Sequence, residues 1–331
     1  MSRPSLAGSK CVVTGAAGFL GHRLVERLLA AGATVRGTLH HKPARVLDPA
    51  VEYLTVDLQT QEGCAAAVAG MDYVFHCAAN TQGAAVIRET PLAHVTPNVP
   101  MNTYLLAAAH GAGAKRFLFI SSGAAYPDTG HRPAEEHEMF ADDPSDVYFA
   151  VAWMKRYTEV LCRTYATKIR NPMDCVVVRP SNVYGPGDKF DPKSSHVTAA
   201  LIRRVALRAT PFEVWGTGED IRDLIFIDDF LDGLLAAFHV EAPFFAINIC
   251  SGDGVRVRDI IDVAAQVDGF QSIDIRLDPS KPSTVPVRRL SAALAAERLG
   301  FRCQISLEEG IRRTLEWYRA NPWPGDDALA R

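Results

Sequence analysis

Three glycines near the start of the chain have the spacing needed to bind phosphate. Apolar residues 11–13 lead into Gly15, Gly18 and Gly21, spaced Gly-x-x-Gly-x-x-Gly, and a helical pattern of leucine and valine follows. The first glycine permits a sharp strand-to-helix turn, the second lets a pyrophosphate approach bare backbone, and the third lets the helix pack close to the strand. Free N–H groups and the helix dipole favour an anion at such a helix N-terminus. A tight turn without ligand is the alternative, but the run favours a dinucleotide cofactor held by Gly15, Gly18, Phe19, Leu20 and Gly21.

The end of the second apolar run carries no acidic residue. NAD-binding forms usually place an acid there, where it binds the adenosine ribose. Here the run leads into His40, His41 and Lys42. These donors suit a 2′-phosphate, so the sequence favours NADP(H) over NAD(H), unless they are only solvated loop residues. Asp57 and Leu58 follow the third run, where Asp57 could hold the adenine amino group or cap the next helix.

The elements that must position these residues alternate along the first half of the chain. Apolar runs predict strands at 10–14, 33–39, 51–56, 72–76, 115–121 and 174–179. Helical periodicity predicts helices at 19–31, 61–69, 95–111 and 149–169. This alternation is typical of a parallel sheet with helices on both faces. The predicted fold class is α/β, a Rossmann doubly wound parallel sheet.

The pattern changes after residue 180, where proline, glycine and aromatic residues become frequent and short strands mix with helices. We predict an NAD(P)-binding domain at 1–180. A smaller C-terminal α/β substrate-binding lobe is predicted at 181–331, with some return of the chain to the first domain. Ligands of such folds bind in the crevice at the carboxyl edge of the sheet.

Composition and charge exclude several classes of partner. The chain has 331 residues and a net charge of −3, so no field attracts nucleic acid or an anionic membrane. It contains no apolar run of 18 residues and no pattern typical of a signal peptide, and we expect no membrane span and a cytoplasmic location. The seven cysteines are scattered without a Cys-x-x-Cys pair, which fits a reducing compartment and predicts no metal site.

Several further segments resemble a known family. They are His76-Cys77-Ala78-Ala79-Asn80, Ser121-Ser122-Gly123-Ala124-Ala125-Tyr126-Pro127, Arg179-Pro180-Ser181-Asn182-Val183-Tyr184-Gly185-Pro186-Gly187-Asp188, Ser195-His196-Val197, Trp215-Gly216-Thr217-Gly218, Arg222 and Phe226-Ile227-Asp228-Asp229. Together they resemble the extended short-chain dehydrogenase/reductase family, specifically its nucleotide-sugar epimerases, dehydratases and reductases. The resemblance is greatest to the branch that is similar to GDP-L-fucose synthase.

The resemblance implies a role for each matching residue. Ala78 and Ala79 would line the adenosine–ribose side of the cofactor, and Ser122 would hydrogen-bond the substrate keto oxygen. On the substrate side, Asn182 would contact the sugar nucleotide, and His196 would act as an acid. Trp215 and Arg222 would form a wall beside the base and a phosphate or sugar contact. The duller alternatives are a turn cap for Ser122, an Asx turn for Asn182, a helix cap for His196, core packing for Trp215 and a surface ion pair for Arg222.

One departure from the family falls on the catalytic pair Tyr-x-x-x-Lys. An ungapped match over residues 152–165 makes Lys155 the family lysine and places Val151 where the family has its tyrosine. Valine can neither donate nor accept a proton. Tyr148 lies seven residues before Lys155, on the same helical face about one turn further out, and a local unwinding of the helix start could bring it closer. Either Tyr148 replaces the missing acid, or that acid is lost.

A second departure concerns the type of reaction. The fucose-synthase-like branch uses a cysteine where this chain has Ala124, so double epimerisation is disfavoured. The resemblance therefore implies an NADP(H)-dependent 4-keto-sugar reductase or epimerase with an atypical acid, supplied by Tyr148 or His196, acting on a nucleotide sugar, with GDP favoured. The alternatives are a catalytically silent dinucleotide-binding homologue and an enzyme for a non-sugar carbonyl. Apolar positions on the helices at 95–111 and 149–169, together with the pairing through these helices that the resemblance implies, predict a homodimer, and a thick two-sided core is the alternative explanation of the pattern.

Overall fold

A computed structural model describes residues 4–326 apart from 82–88, 193, 272 and 281–283. Its strands are β1 Lys10–Thr14, β2 Thr34–Leu39, β3 Val51–Thr55, β4 Tyr73–His76, β5 Arg116–Ile120, β6 Asp174–Pro180, β7 Asn182–Tyr184, β8 Phe212–Trp215, β9 Ile221–Arg222, β10 Leu224–Phe226, β11 Phe244–Ile249, β12 Val255–Arg256, β13 Ile275–Asp278 and β14 Val287–Arg288. Its helices are α1 Phe19–Ala30, α2 Gln61–Val68, α3 Leu92–Gly111, α4 Phe149–Thr167, α5 Val197–Ala206, α6 Ile227–Phe238, α7 Val257–Asp268, α8 Ala293–Leu299 and α9 Leu307–Ala320.

Seven strands form a central sheet in the order β11-β6-β5-β4-β1-β2-β3. Every neighbouring pair in this sheet is parallel. The strands are rich in buried valine, phenylalanine and isoleucine because both faces of the sheet are covered. The predicted α/β class and doubly wound parallel sheet are confirmed.

Two apolar cores lie on opposite faces of the sheet. Helices α1 and α6 belong to the larger core, which extends into the C-terminal part of the chain. Helices α2, α3 and α4 pack on the other face. The carboxyl ends of β1, β4 and β5 therefore lie between two helical layers, which is where ligands of such sheets bind.

The chain after residue 180 forms small sheets and then returns to the central one. Strand β8 pairs with β13, β7 pairs with β10, and β9 lies between β12 and β14. Strand β11 then joins the edge of the central sheet beside β6. None of the helices in the described ranges has the length and apolar character that a membrane span requires.

Candidate active site

The glycine loop between β1 and α1 leaves no space for side chains at two positions. Gly15 has a φ of +67°, and a Cβ there would lie 2.8 Å from the Cα of Ala78. A Cβ on Gly21 would lie 2.2 Å from the carbonyl oxygen of Gly15. Helix α1 begins at Phe19 with no side-chain cap and no acid in its first turn. Its first N–H groups and its positive dipole end therefore stay available to an anion.

A buried polar chain joins this loop to α4. The Thr14 hydroxyl oxygen accepts from the backbone N–H groups of Cys77 (3.1 Å) and Ala78 (3.0 Å) and lies 2.8 Å from Nδ1 of His76. Nε2 of His76 lies 2.8 Å from Oδ1 of Asn102, whose amide nitrogen donates to Thr158 on α4 at 3.0 Å. Because Asn102 presents its oxygen to the ring, His76 carries its proton on Nε2 and accepts from Thr14. Burial lowers the pKa of His76 to about 4, so the ring is neutral.

The residues predicted to face the adenosine end are mostly at the surface. His40 and Lys42 are exposed after β2, Ala79 is exposed, and Leu58 is buried. Asp57 accepts from the backbone N–H of Gln59 at 2.9 Å, while the helix cap of α2 is Thr60. The capping alternative for Asp57 was therefore wrong, because an Asx turn places the next hydroxyl, not the carboxylate, at the helix start.

Lys155 lies at the carboxyl end of β5. Its Nζ donates to the carbonyl oxygen of Ile120 at 2.8 Å and lies 4.7 Å from the centroid of the Phe119 ring. Burial lowers the pKa of Lys155 to about 8, and the charge of Glu159 opposes this shift. The lysine is therefore fixed at the sheet edge beside the glycine loop, in an environment that makes its charge sensitive to pH.

A buried ion pair fixes the register of α4. Both carboxylate oxygens of Glu159 accept from Arg179, the shortest contact being 2.6 Å, and Ser121 donates to the same carboxylate at 2.5 Å. Arg179 also donates to the hydroxyl of Tyr126 at 2.9 Å, and that hydroxyl donates to Asn248 at 2.7 Å. Removing one partner of such a pair typically costs about 3–5 kcal/mol, because it leaves a buried charge uncompensated.

Ser122 follows this network at the end of β5. Its hydroxyl oxygen accepts from the backbone N–H of Ala124 at 3.1 Å and caps a short 3-10 turn. The predicted turn-capping role is therefore present. It leaves the hydroxyl hydrogen free to be donated to a ligand, because only an acceptor lone pair is used.

Val151 lies one helical turn before Lys155 on α4, at the edge of a cavity of about 430 Å³. The cavity is lined by Pro91, His94, Asp146, Val147, Phe149, Ala150 and Val151. The sequence reasoning missed His94, which is 4% exposed and belongs to the first turn of α3. No motif surrounds this histidine, and only the packing of α3 against α4 shows that it lies near the predicted site.

Tyr148 lies just outside α4. The residues Asp146–Tyr148 form a 3-10 turn, and the α-helix begins at Phe149. A 3-10 turn, which is wound more tightly than an α-helix, therefore lies where the sequence analysis allowed a local unwinding of the helix start. The Tyr148 ring packs on the side of Cys250 and Leu290, with the Arg288 guanidinium 5.8 Å from the ring centroid.

The predicted substrate residues lie on several elements of the C-terminal part. The side-chain amide of Asn182 donates to the carbonyl oxygen of Asp223 at 3.0 Å. Arg222 is buried, contacts Asp220 at 3.3 Å and pairs in register with Arg288 across β9 and β14. Trp215 is 52% exposed, so the alternative that it is core was wrong. The alternative that Arg222 forms a surface ion pair was also wrong, because its side chain is buried.

His196 precedes α5 but makes no side-chain capping bond. Its side chain is exposed, although much of the protein lies around it. Burial lowers the pKa of His196, and the charges of Lys189 and His94 add to this. The charge of Lys189 therefore acts on both His94 and His196, and the charge of Lys155 acts on His94. The described residues contain no group of three or more His, Cys, Asp or Glu side chains that could hold a metal ion.

Comparisons with known proteins agree with this architecture. The NAD dependent epimerase/dehydratase family matches residues 11–250. The probable GDP-L-fucose synthase 1 of Oryza sativa subsp. japonica is 28% identical over 323 residues, covering 95% of this chain and 93% of the relative. GDP-mannose 3,5-epimerase 1 of the same plant is 27% identical over 314 residues, covering 93% of this chain and 81% of the relative.

A solved structure extends the likeness to the whole fold. The UDP-glucose 4-epimerase of Thermotoga maritima, determined with UDP-glucose, has a TM-score of 0.83 and 26% identity, covering 94% of this chain and 99% of that one. The resemblance inferred from the sequence motifs is confirmed. With its parallel sheet, its glycine loop and a family match over most of its length, the chain belongs to the NAD dependent epimerase/dehydratase family, within the extended short-chain dehydrogenases/reductases.

Proposed function

We propose that this protein is an NADP(H)-dependent nucleotide-sugar oxidoreductase, a 4-keto-sugar reductase or an epimerase with an atypical acid/base group. The observation that carries the proposal is the position of Lys155. Its ammonium group is fixed on the Ile120 carbonyl, at the edge where the glycine loop and Ser122 also lie. This chain therefore keeps the groups that hold a cofactor and orient a carbonyl, although Val151 replaces the family acid.

The cofactor would lie along the carboxyl edge of the sheet. The loop from Gly15 to Gly21 would hold its pyrophosphate, Lys155 its nicotinamide ribose, and Asp57, Leu58, Ala78 and Ala79 its adenosine. When bound, the cofactor supplies or accepts a hydride. The preference for NADP(H) is supported by His40 and Lys42 after β2, where no acid stands. Burial lowers the pKa of Lys189, and the charge of Lys42 adds to this, so a second cation lies within the field of Lys42.

The substrate would lie between the sheet edge and the C-terminal part of the chain. A nucleotide-sugar substrate is supported by the names of two relatives, each of which contains a GDP-sugar. Arg222 and Arg288 are adjacent cations suited to a diphosphate. Asn182, His196 and the exposed face of Trp215 would contact the remainder of the molecule.

Reduction at C4 is favoured over double epimerisation. Ala124 stands where the fucose-synthase-like branch has a cysteine, so one epimerising group is absent. Ser122 would donate its hydroxyl hydrogen to the keto oxygen and orient the carbonyl for hydride transfer. Val151 cannot supply the proton, and the sequence analysis predicts Tyr148 or His196 as its source.

A homodimer is supported by an exposed apolar stripe on α4. Phe149, Trp153, Tyr157 and Val160 are 49%, 41%, 43% and 50% exposed and recur at helical spacing. Four large apolar side chains on one face of a helix mark an interaction surface.

A cytoplasmic location stays a prediction, and it is supported by seven free cysteines.

A catalytically silent binding protein is the second candidate, and Val151 favours it. The two candidates are separated by incubating the protein with NADPH or NADH and GDP-, UDP- or dTDP-4-keto-6-deoxy sugars, with product followed by mass spectrometry. We expect NADPH-dependent reduction of a GDP-sugar, and loss of that reduction in Lys155→Met. Cofactor binding without turnover on any of these sugars would support the silent homologue or a different carbonyl substrate.

A further inference from the structure

We propose that His94 is the acid/base group that exchanges a proton with the substrate oxygen, in the place that Val151 leaves unfilled. This inference rests on the proposed function and names one residue of its reaction. It starts from the cavity, which His94 and Val151 line from facing helices, α3 and α4. His94 of α3 and Val151 of α4 therefore border the same cavity.

The imidazole of His94 has a nitrogen without a partner. Its Nε2 is buried and makes no hydrogen bond within the part of the chain that the structure describes. Buried polar atoms of native proteins are nearly always paired, because an unpaired one costs about 1–3 kcal/mol. The orphaned nitrogen is thus the one polar ring atom expected to find its partner in a bound ligand.

The backbone around His94 is fixed relative to the cofactor loop. The carbonyl oxygen of His94 accepts from the Asn98 side chain at 2.7 Å, and Asn98 also bonds the backbone of Asn80 after β4 at 2.8 and 3.0 Å. Asn80 in turn donates to the carbonyl of Ala93 at 3.3 Å. That carbonyl lacks its usual helical partner because Pro97 has no N–H. These bonds hold the first turn of α3 against the segment predicted to line the cofactor.

Charged groups surround His94 on several elements. Lys155 of α4 and Lys189 of the loop before α5 bear on it, His196 lies nearby, and Asp146 lines the cavity. Burial lowers the pKa of His94, and the charges of Lys155 and Lys189 add to this. A bound diphosphate would offset the two lysine charges and favour the protonated ring, so the acid would form together with the substrate complex.

The proton balance of the step is simple. In reduction, the carbonyl oxygen takes the proton from Nε2 of the His94 imidazolium, and the hydride that the reduced cofactor would supply goes to the carbonyl carbon. The N–H bond of the ring, the C–H bond of the cofactor and the C=O π bond break, new C–H and O–H bonds form, and the neutral ring regains a proton from solvent. In the reverse direction, the neutral ring takes the hydroxyl proton while the hydride returns to the oxidised cofactor.

The test uses the full-length protein, NADPH and the keto sugar that the wild type reduces. The variants are His94→Gln, Val151→Tyr, the double variant of these two, Tyr148→Phe and His196→Gln. His110→Gln, at the other end of α3, is the matched control. We expect His94→Gln to lower kcat by about 10²- to 10⁴-fold with little change in KM, and Val151→Tyr to restore much of that loss. A purely structural role for His94 would not be rescued by a tyrosine at position 151.

The pH dependence gives a second readout. Reduction by the wild type should fall as the pH rises through the pKa of His94 in the substrate complex, and His94→Gln should lack that limb. If His94→Gln folds poorly, His94→Ala with added imidazole replaces it, and rescue by imidazole is the expected result.

If the wild type is active, any of three results would overturn the assignment. They are wild-type kcat in His94→Gln, a loss that neither Val151→Tyr nor imidazole repairs, and a comparable loss confined to Tyr148→Phe or His196→Gln. A silent wild type with an active Val151→Tyr would reject His94 while keeping the substrate class. Silence of every variant would reject the proposed function itself.

Discussion

The two ends of the predicted site differ in what defines them, which is the backbone at the cofactor end and side chains at the reaction end. At the cofactor end, the loop from Gly15 to Gly21 is defined by backbone, and added Cβ atoms would collide with backbone atoms 2.2–2.8 Å away. At the reaction end, Lys155 and Val151 are defined by their side chains, on a helix that the Glu159–Arg179 pair holds in register. Gly15 and Gly21 cannot take a side chain without a shift of the backbone, whereas a site made of side chains can change one residue at a time on an unchanged scaffold. This difference would let the family fold persist with the valine at position 151.

The comparison predicts the largest effect at the cofactor end. Gly21→Ala should lower the unfolding free energy by about 1–3 kcal/mol or more and abolish NADPH binding, because its Cβ must displace the Gly15 carbonyl. Gly111→Ala is the control, since the space around Gly111 is open and its φ is ordinary. Thermal unfolding and cofactor titration measure both variants. Tight NADPH binding by Gly21→Ala would show that the loop is not the pyrophosphate site.

At the reaction end, Lys155→Met should lower kcat/KM by about 10²-fold, because the reactants lose an orienting contact. The pKa of Lys155 is about 8, so the charged form is lost as the pH rises through 8, and activity should fall there. Lys155→Arg stays charged and should move this fall to higher pH. Rate profiles between pH 6 and 10 test it, and an unchanged limb in Lys155→Arg would assign the titration to another group.

A smaller effect is expected on the outer face of the reaction-end helix. Trp153→Glu should convert the predicted dimer to monomers, because burying the new carboxylate would cost about 2 kcal/mol or more at an interface centre. Ala65→Glu, on the exposed side of α2, introduces the same charge elsewhere. Light scattering measures the oligomeric state of both variants and of the wild type. A monomeric wild type would contradict the predicted dimer.

The smallest effect should come from the exposed adenosine end. His40→Ala with Lys42→Ala should weaken NADPH binding about 5-fold and leave NADH unaffected, since exposed ionic contacts contribute about 0.2–1 kcal/mol each. The difference should shrink in high salt. Equal losses for both cofactors would mean that these residues do not contact the 2′-phosphate.

The sequence could predict the features that depend on regular patterns. Strands β1, β4, β5 and β6 are largely apolar, whereas β2 and β3 mix apolar with polar residues. The predicted bounds of these six strands differ from the observed ones by one residue at most. The short strands β7, β9, β12 and β14 were missed because two or three residues carry no periodic signal. Their pairing depends on contacts with distant parts of the chain.

The residues of the site divide in the same way into those that a sequence pattern predicts and those that it does not. The glycine spacing identifies a backbone loop, and the motif around Lys155 identifies its helix. His94 has no motif, and it joins the cavity only because α3 packs on α4. Asp57 was assigned a possible capping role that Thr60 fills, because the geometry of the turn decides which oxygen reaches the helix N-terminus.

The central claim is that hydride transfer occurs here without a tyrosine at position 151. It is tested most directly with NADPH that carries deuterium at both C4 positions, the wild-type protein and GDP-4-keto-6-deoxymannose, with the sugar product analysed by mass spectrometry. We predict that the product gains a single deuterium on the sugar ring for each NADPH oxidised. Bound NADPH that keeps its deuterium with the GDP-, UDP- and dTDP-keto sugars alike would contradict the claim.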